Sequence, residues 1–311
     1  MRRFQNRVAE STMALPAALA YSAAVFHLCG LYGRGLWVQA VAVLAAALAV
    51  ARLNNAYSLI RIYSRMVSCL FLLLTMAACH GLGDMGAAAA SLCFPCFLLF
   101  LFGTYQDKDS AGHAFYAFAM LGFGSLAEPH ILVLLPLGWL LLATAMQALS
   151  LRTLAASAMG ALLPWWFAAA WTAVAGDTGF LLSAYGSLSA LPGMPDYSCI
   201  SVGDAAVWCF STLLLLVGVV HFLRQAHRDK IRTRSMYEAL MVSAGYILAV
   251  AALMPQHSHW LIRAYFVPVA ALVGHFTALT ATKATNIATI TMLAGLLALA
   301  AYNMNGIWRI F

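Results

Sequence analysis

The chain has 311 residues, 64% of them hydrophobic and 9% charged, with a formal net charge of +7. Soluble domains carry about 25% charged residues, so a water-facing globule is excluded, while apolar stretches near the 20 residues that cross a bilayer follow one another from residue 12 to residue 302. The basic residues lie in short loops between those stretches and form no face that tracks a phosphate backbone, which removes nucleic acid as a partner.

Inside lipid every backbone N–H and C=O must be paired within the chain. The strand alternation of a barrel is missing, so the sequence predicts an all-α, polytopic transmembrane helix bundle of about eleven spans. Residues 1–311 read as a single integral membrane domain. The basic start, Arg2, Arg3 and Arg7, resembles a signal sequence but leads into an uncleaved first span at 12–31. Span 36–52 follows. Residues 54–65 read as an amphipathic interfacial stretch, with Tyr57, Leu59, Ile60 and Tyr63 on lipid and Arg61 and Arg65 among headgroups. Spans at 66–82 and 86–103 come next, the latter holding Cys93-Phe94-Pro95-Cys96. That spacing matches redox motifs, but it stands inside an apolar span where a thiolate is disfavoured. The seven cysteines behave as small hydrophobes and set no disulfide framework. Spans at 112–127, 129–148 and 154–175 lead to a polar connection at about 176–204, which carries Asp177, Asp196 and Asp204, Gly186, Pro192, Gly193 and Pro195 and no Lys or Arg. It is expected to be irregular, with one short interfacial helix. Span 205–223 precedes a basic loop at about 224–236, expected to anchor among anionic headgroups. Spans 237–254, 264–281 and 285–302 complete the chain.

Counting Lys and Arg in alternate loops gives the orientation. With the N-terminus inside, 14 of the 17 basic residues are cytoplasmic and only Arg34, Arg263 and Arg309 lie outside, which is the bias of the positive-inside rule. The predicted location is the inner (cytoplasmic) membrane, multi-pass, with the C-terminus out.

Ionisable groups near membrane depth are costly and each is a functional candidate. Glu128 stands before Pro129 at an outer turn, with His130 two places on. A carboxylate and an imidazole there can act as a general acid–base pair or bind a cation, and the competing reading is a water-facing Glu at a loop tip. Residues 255–265 carry His257, His259, Arg263 and Tyr265. The two histidines need a third ligand from elsewhere to bind a metal, so no metal site is assigned. The Arg263 fork suits a phosphate or carboxylate, and an interfacial belt of Trp260, Arg263 and Tyr265 is the competing reading. Together with His27, His80 and Asp84, these groups fall on the outer side and are expected to converge. The candidate catalytic residues are Glu128, Asp84 and His130. The candidate substrate or phosphate contacts are Arg263, His257, His259 and Tyr265. His275 and His221 read instead as packed polar residues bonded to a neighbouring helix.

Residues 119–130, Ala-Met-Leu-Gly-Phe-Gly-Ser-Leu-Ala-Glu-Pro-His, with Ile131 to Pro136 after them, resemble the Gly-rich helix, Pro turn and Leu-Pro helix of C-type membrane glycosyltransferases. Arg263 to Pro268 resembles their Arg-Tyr-x-x-Pro late span. The overall layout resembles a family of polytopic membrane proteins of Bacteroidota, with an Asn-containing stretch after the second span. The glycosyltransferase resemblance implies transfer from a polyprenyl-phosphate-linked sugar at the outer face; an enzyme built on this chain would need Asp84 or Glu128 as base, with Arg263 and Arg34 holding phosphate. Two departures bear on this: those enzymes carry an acidic residue in a long first outer loop, where this chain has only Gly33-Arg34-Gly35 with its neighbours, and Glu128 occupies a turn position that is often basic or neutral in them. A non-enzymatic scaffold or export component of the envelope is the alternative function, and a transporter the third. The sequence assigns no cofactor; membrane lipid, including polyprenyl phosphate, is the expected partner.

Overall fold

The computed structural model describes residues 3–176, 178–189 and 195–308, all helix and connecting turns with no strand among them. Arg2, Asp177, Pro192, Gly193 and Arg309 lie outside the described residues. The helices are α1 (Phe4–Glu10), α2 (Ala14–Leu28), α3 (Trp37–Tyr57), α4 (Met66–Ala77), α5 (Met85–Leu101), α6 (Ala111–Ala127), α7 (Leu135–Ala143), α8 (Leu151–Ala175), α9 (Gly179–Ser189), α10 (Val202–Gln225), α11 (Ile231–Leu253), α12 (Ser258–Leu279) and α13 (Lys283–Trp308). Each of the eleven stretches read as spans is largely helical. Among the described residues seven helices are long and apolar enough to cross a membrane, or eight if α1 and α2, bent 89° apart, are one span. The other three, α4, α6 and the 129–143 pair, are shorter. At 12 residues α4 is about 18 Å long, well under a bilayer core of roughly 30 Å.

One helix organises the rest. α12 is buried almost along its whole length and packs against α10, α4, α5, α11 and α1. A helix apolar on every face belongs in a protein interior, and the run from Leu261 to Ala278 is broken only by Arg263, His275 and Thr277. Its neighbours come close where side chains are small. A Cβ on Gly274 would stand 3.0 Å from Val67 of α4, so α4 crosses there because the position has no side chain. Pro268 is accommodated within α12 without ending it.

The polar turns gather at the two ends of α12. At its C-terminal end, α1 is tied down by Gln5, whose amide donates to the Thr277 carbonyl (2.7 Å) and Thr280 Oγ1 (2.5 Å), and by Arg3, which donates to the Ala281 carbonyl. The loops of the basic side meet here. Arg232 lies over the rings of Tyr57 and Tyr105, and Arg61 lies 3.9 Å from Asp229.

The stretch after α3 corrects the sequence reading. Leu59 and Ile60 do not lie on lipid but are buried in the core, and the Tyr57 hydroxyl donates to the Leu99 carbonyl (2.6 Å). Asn54 causes the tuck: its Oδ1 accepts from the Ile60 N–H (3.3 Å) and its Nδ2 donates to the Ser64 carbonyl (3.1 Å), with Ser58 in a left-handed conformation at the end of α3. The described residues of the connection between α8 and α10 hold one helix, α9, and a short 3-10 turn, Tyr197–Cys199, which is pinned by the Tyr197 hydroxyl on the Ala252 carbonyl (2.7 Å).

Candidate functional site

The site begins where α4 stops. A helix end leaves carbonyls unpaired, and in an apolar surrounding each must find a donor. Arg263, fully buried on the first turns of α12, donates from one terminal nitrogen to the Thr75 carbonyl (2.7 Å) and from the other to the Ala78 carbonyl (2.5 Å), while Asn303 of α13 donates to Ala77 (2.7 Å). The guanidinium therefore sits at the negative end of the α4 dipole, where a cation is favoured. Two of its five N–H donors are spent on main chain. Gly81 lies against the guanidinium, and a Cβ there would come 3.1 Å from it.

In front of Arg263 opens a cavity of about 290 Å³, lined among others by His80, Asp84, Asp204, Trp208, His259 and Arg263. Asp84 is the N-cap of α5 and accepts from the Ala87 N–H (2.6 Å). Its other partner is the His259 imidazole, with Nε2 3.6 Å from the carboxylate. Across the cavity the His80 imidazole lies 3.5 Å from Asp204. The Asp204 carboxylate raises the proton affinity of His80 above its ordinary value against the opposing effect of burial. Two carboxylates thus face one fixed cation, and a charged His80 brings the balance near neutral. An anion entering the cavity therefore meets two carboxylates as well as the guanidinium.

Next to the cavity, on the far side of Gly86, stands a second group. Pro129 ends α6 and holds Glu128 extended (φ −140°, ψ 99°), so its carboxylate turns back onto His130, with Oε1 2.6 Å from Nδ1. The ring of His257 lies 3.9 Å from that of His130, centroid to centroid. One donor atom each from Glu128, His130 and His257 falls within 4.8 Å of the others, a geometry able to hold a metal ion. A Cβ on Gly86 would meet Glu128 Cβ at 2.9 Å and Asp84 Oδ2 at 3.2 Å, so the two groups adjoin.

Of the residues singled out from sequence, the structure brings Asp84, His259 and Arg263 onto one cavity and Glu128, His130 and His257 into the adjoining cluster. Tyr265 stands one layer deeper, its hydroxyl on Thr212 (3.1 Å) and its ring against Trp208, so it supports the wall without lining the cavity. His27 remains exposed beside Tyr32, away from both groups. Two residues were missed as partners. Asp204 closes the capping pattern Ser201-x-x-Asp204, with the Ser201 hydroxyl accepting from the Asp204 N–H (3.0 Å) and donating to its carboxylate (2.7 Å), a signal readable in sequence. Asp229 is masked by its basic neighbours. His275 bonds to Asp229 (3.1 Å) in the turn after α10 and not to a neighbouring helix, while His221 packs ring against ring beside it (5.4 Å). All seven cysteines are free, and Cys93 packs on Gly124 within the α5–α6 contact. The chain matches no protein-family model, no curated protein and no solved structure.

Proposed function

We propose that the protein is a multi-pass enzyme of the inner membrane that transfers a group from a polyprenyl-phosphate-linked sugar at the outer face. The reading includes eleven membrane segments, three of them short, with the N-terminus inside and the C-terminus outside. What supports the orientation is the collection of the basic loops at the C-terminal end of α12. What carries the activity is the Asp84–His259 pair on a cavity that also holds Arg263. A carboxylate within reach of an imidazole is the equipment of general acid–base catalysis. In the proposed step Asp84 takes the proton of an acceptor hydroxyl as the new C–O bond forms. The bond between the sugar carbon and the phosphate oxygen breaks, and the lipid phosphate leaves as an anion toward the remaining donors of Arg263 and the imidazole N–H groups of His259 and His80. Glu128 lies outside this cavity, which favours Asp84 as the base.

Lipids retained by the purified protein, identified by mass spectrometry, test the substrate class. A co-purifying polyprenyl phosphate that is lost in His259→Ala and kept in Asp84→Asn supports the proposal. Its absence from the parent, with only bulk phospholipid retained, favours a second reading as a non-enzymatic scaffold or export component. The observation behind that second reading is that Arg263 already spends two donors on main-chain carbonyls.

A further inference from the structure

The geometry points to a divalent transition-metal site formed by Glu128, His130 and His257, beside the cavity and independent of any transfer reaction. Two prolines build it. Pro129 opens the 3-10 turn Pro129–Leu134 after α6, and Pro255 opens the 3-10 turn Pro255–His257 before α12. Each turn delivers imidazole to the same level: His130 from the first, with Glu128 as its cap, and His257 from the second.

The distances suit an ion. One ligand atom from each residue lies within 4.8 Å of the other two, Glu128 and His130 being already 2.6 Å apart. Tetrahedral zinc with bonds of about 2.0–2.2 Å sets its ligands roughly 3.4 Å from one another, so small side-chain rotations close the set. The rings of His130 and His257 stand 3.9 Å apart, centroid to centroid, and are inclined by 33°, so the two turns present their imidazoles side by side. All three side chains are half-buried, which limits competition from water without sealing the site.

The donor set selects the ion. Two imidazole nitrogens with one carboxylate suit zinc, cobalt or nickel, whereas calcium and magnesium take oxygen ligands. Three protein ligands leave a fourth position open, the layout in which a metal binds water or substrate. Bound there, the ion would tie the α6–α7 turn to the α11–α12 turn next to Gly86 and Asp84. Sequence alone could not reveal this, because the third ligand comes from a turn more than a hundred residues from the other two.

Cobalt titration of the full chain in detergent, chelator-treated and freed of any tag, tests the site without measuring activity. The parent is expected to develop tetrahedral d–d absorption saturating at one ion per chain. His130→Ala is expected to lose it, and Glu128→Gln to lose most of it. His259→Ala, outside the set, should keep it. His257→Cys should retain binding and add a thiolate-to-cobalt charge-transfer band, a signature that no structural role of His257 produces. His257→Gln, which should lose binding, replaces it if the cysteine variant does not fold. Absence of saturable binding by the parent overturns the site. So does binding untouched by His130→Ala and by His257→Gln, or a folded His257→Cys protein that binds cobalt without the charge-transfer band.

Discussion

The two ends of α12 hold similar residues in opposite arrangements. At the C-terminal end His275, Asp229 and Arg61 pair with one another through His275 Nε2 and the Asp229 carboxylate, while His275 Nδ1 is left buried without a partner among the described residues. The imidazole is fully buried on Asp229, the carboxylate is 4% exposed, and Arg61 reaches both the carboxylate and the Arg228 carbonyl (3.5 Å). Tyr237 closes the group from α11, ring to ring with His275 at 5.0 Å, its hydroxyl on the Leu59 carbonyl. At the N-terminal end the carboxylates and imidazoles stand around a cavity, at pair distances of 3.5–3.6 Å, with 31–42% of each paired side chain exposed. The difference separates structure from chemistry. A pair buried as deeply as His275 and Asp229 fixes a turn against a helix, whereas a partly open set keeps protons and lone pairs free for a ligand.

The sharpest way to break this comparison is Arg263→Ala, because Arg263 belongs to the open end by position and to the structure by its bonds. Its loss leaves the Thr75 and Ala78 carbonyls unpaired and removes the cation facing Asp84 and Asp204, at a cost of about 3–5 kcal/mol. The expected result is loss of monodisperse protein in size exclusion. Arg263→Lys should recover part of it, since lysine keeps the charge but not the fork.

Asp84→Asn sharpens the contrast from the other side. Asparagine caps a helix about as well as aspartate, so stability should hold. Removing a general base should lower the transfer rate by about 10²–10⁴-fold, measured in vesicles supplied with the lipid-linked donor.

Asp229→Ala attacks the closed end. It strips His275 of its partner and should cost about 2 kcal/mol, seen as a lower melting temperature, with transfer by the protein that remains folded unchanged.

The smallest effect concerns pH. The His80 proton affinity is raised by Asp204, so the pair stabilises the fold fully below the ordinary imidazole pKa. That stabilisation fades as pH rises through the raised value. Both partners are about one-third exposed, which limits the contribution to under about 1 kcal/mol. Melting curves from about pH 6 to about pH 9 should show the parent losing this increment and His80→Asn lacking it.

Much of the helical fold was legible because lipid leaves the backbone so few options. Runs such as Val38–Val50 in α3 or Ile287–Ala300 in α13 need no tertiary context to be read as helix. The early stop of α4 was not legible: the apolar run continues through Ala77 and Ala78, and the carbonyls freed at the helix end are satisfied by a guanidinium 185 residues away in sequence. Leu59 and Ile60 misled for the same reason, since Asn54 decides their burial through bonds that no hydropathy pattern encodes. Of the site, Glu128-Pro129-His130 and His257-x-His259 announced themselves by proline and by spacing. The division into a cavity set and a cluster set did not, because it depends on how Gly86 lets α5 approach the α6–α7 turn.

The most direct test of an open, chemical end and a closed, structural end sets Asp84→Asn beside Asp229→Asn. Each is measured for melting temperature and for rescue of envelope glycans in a strain where deleting the native copy removes them. Asp84→Asn is expected to melt as the parent does and to fail to rescue, while Asp229→Asn melts lower and rescues. Full rescue by a stably folded Asp84→Asn protein would contradict the assignment of chemistry to the open end.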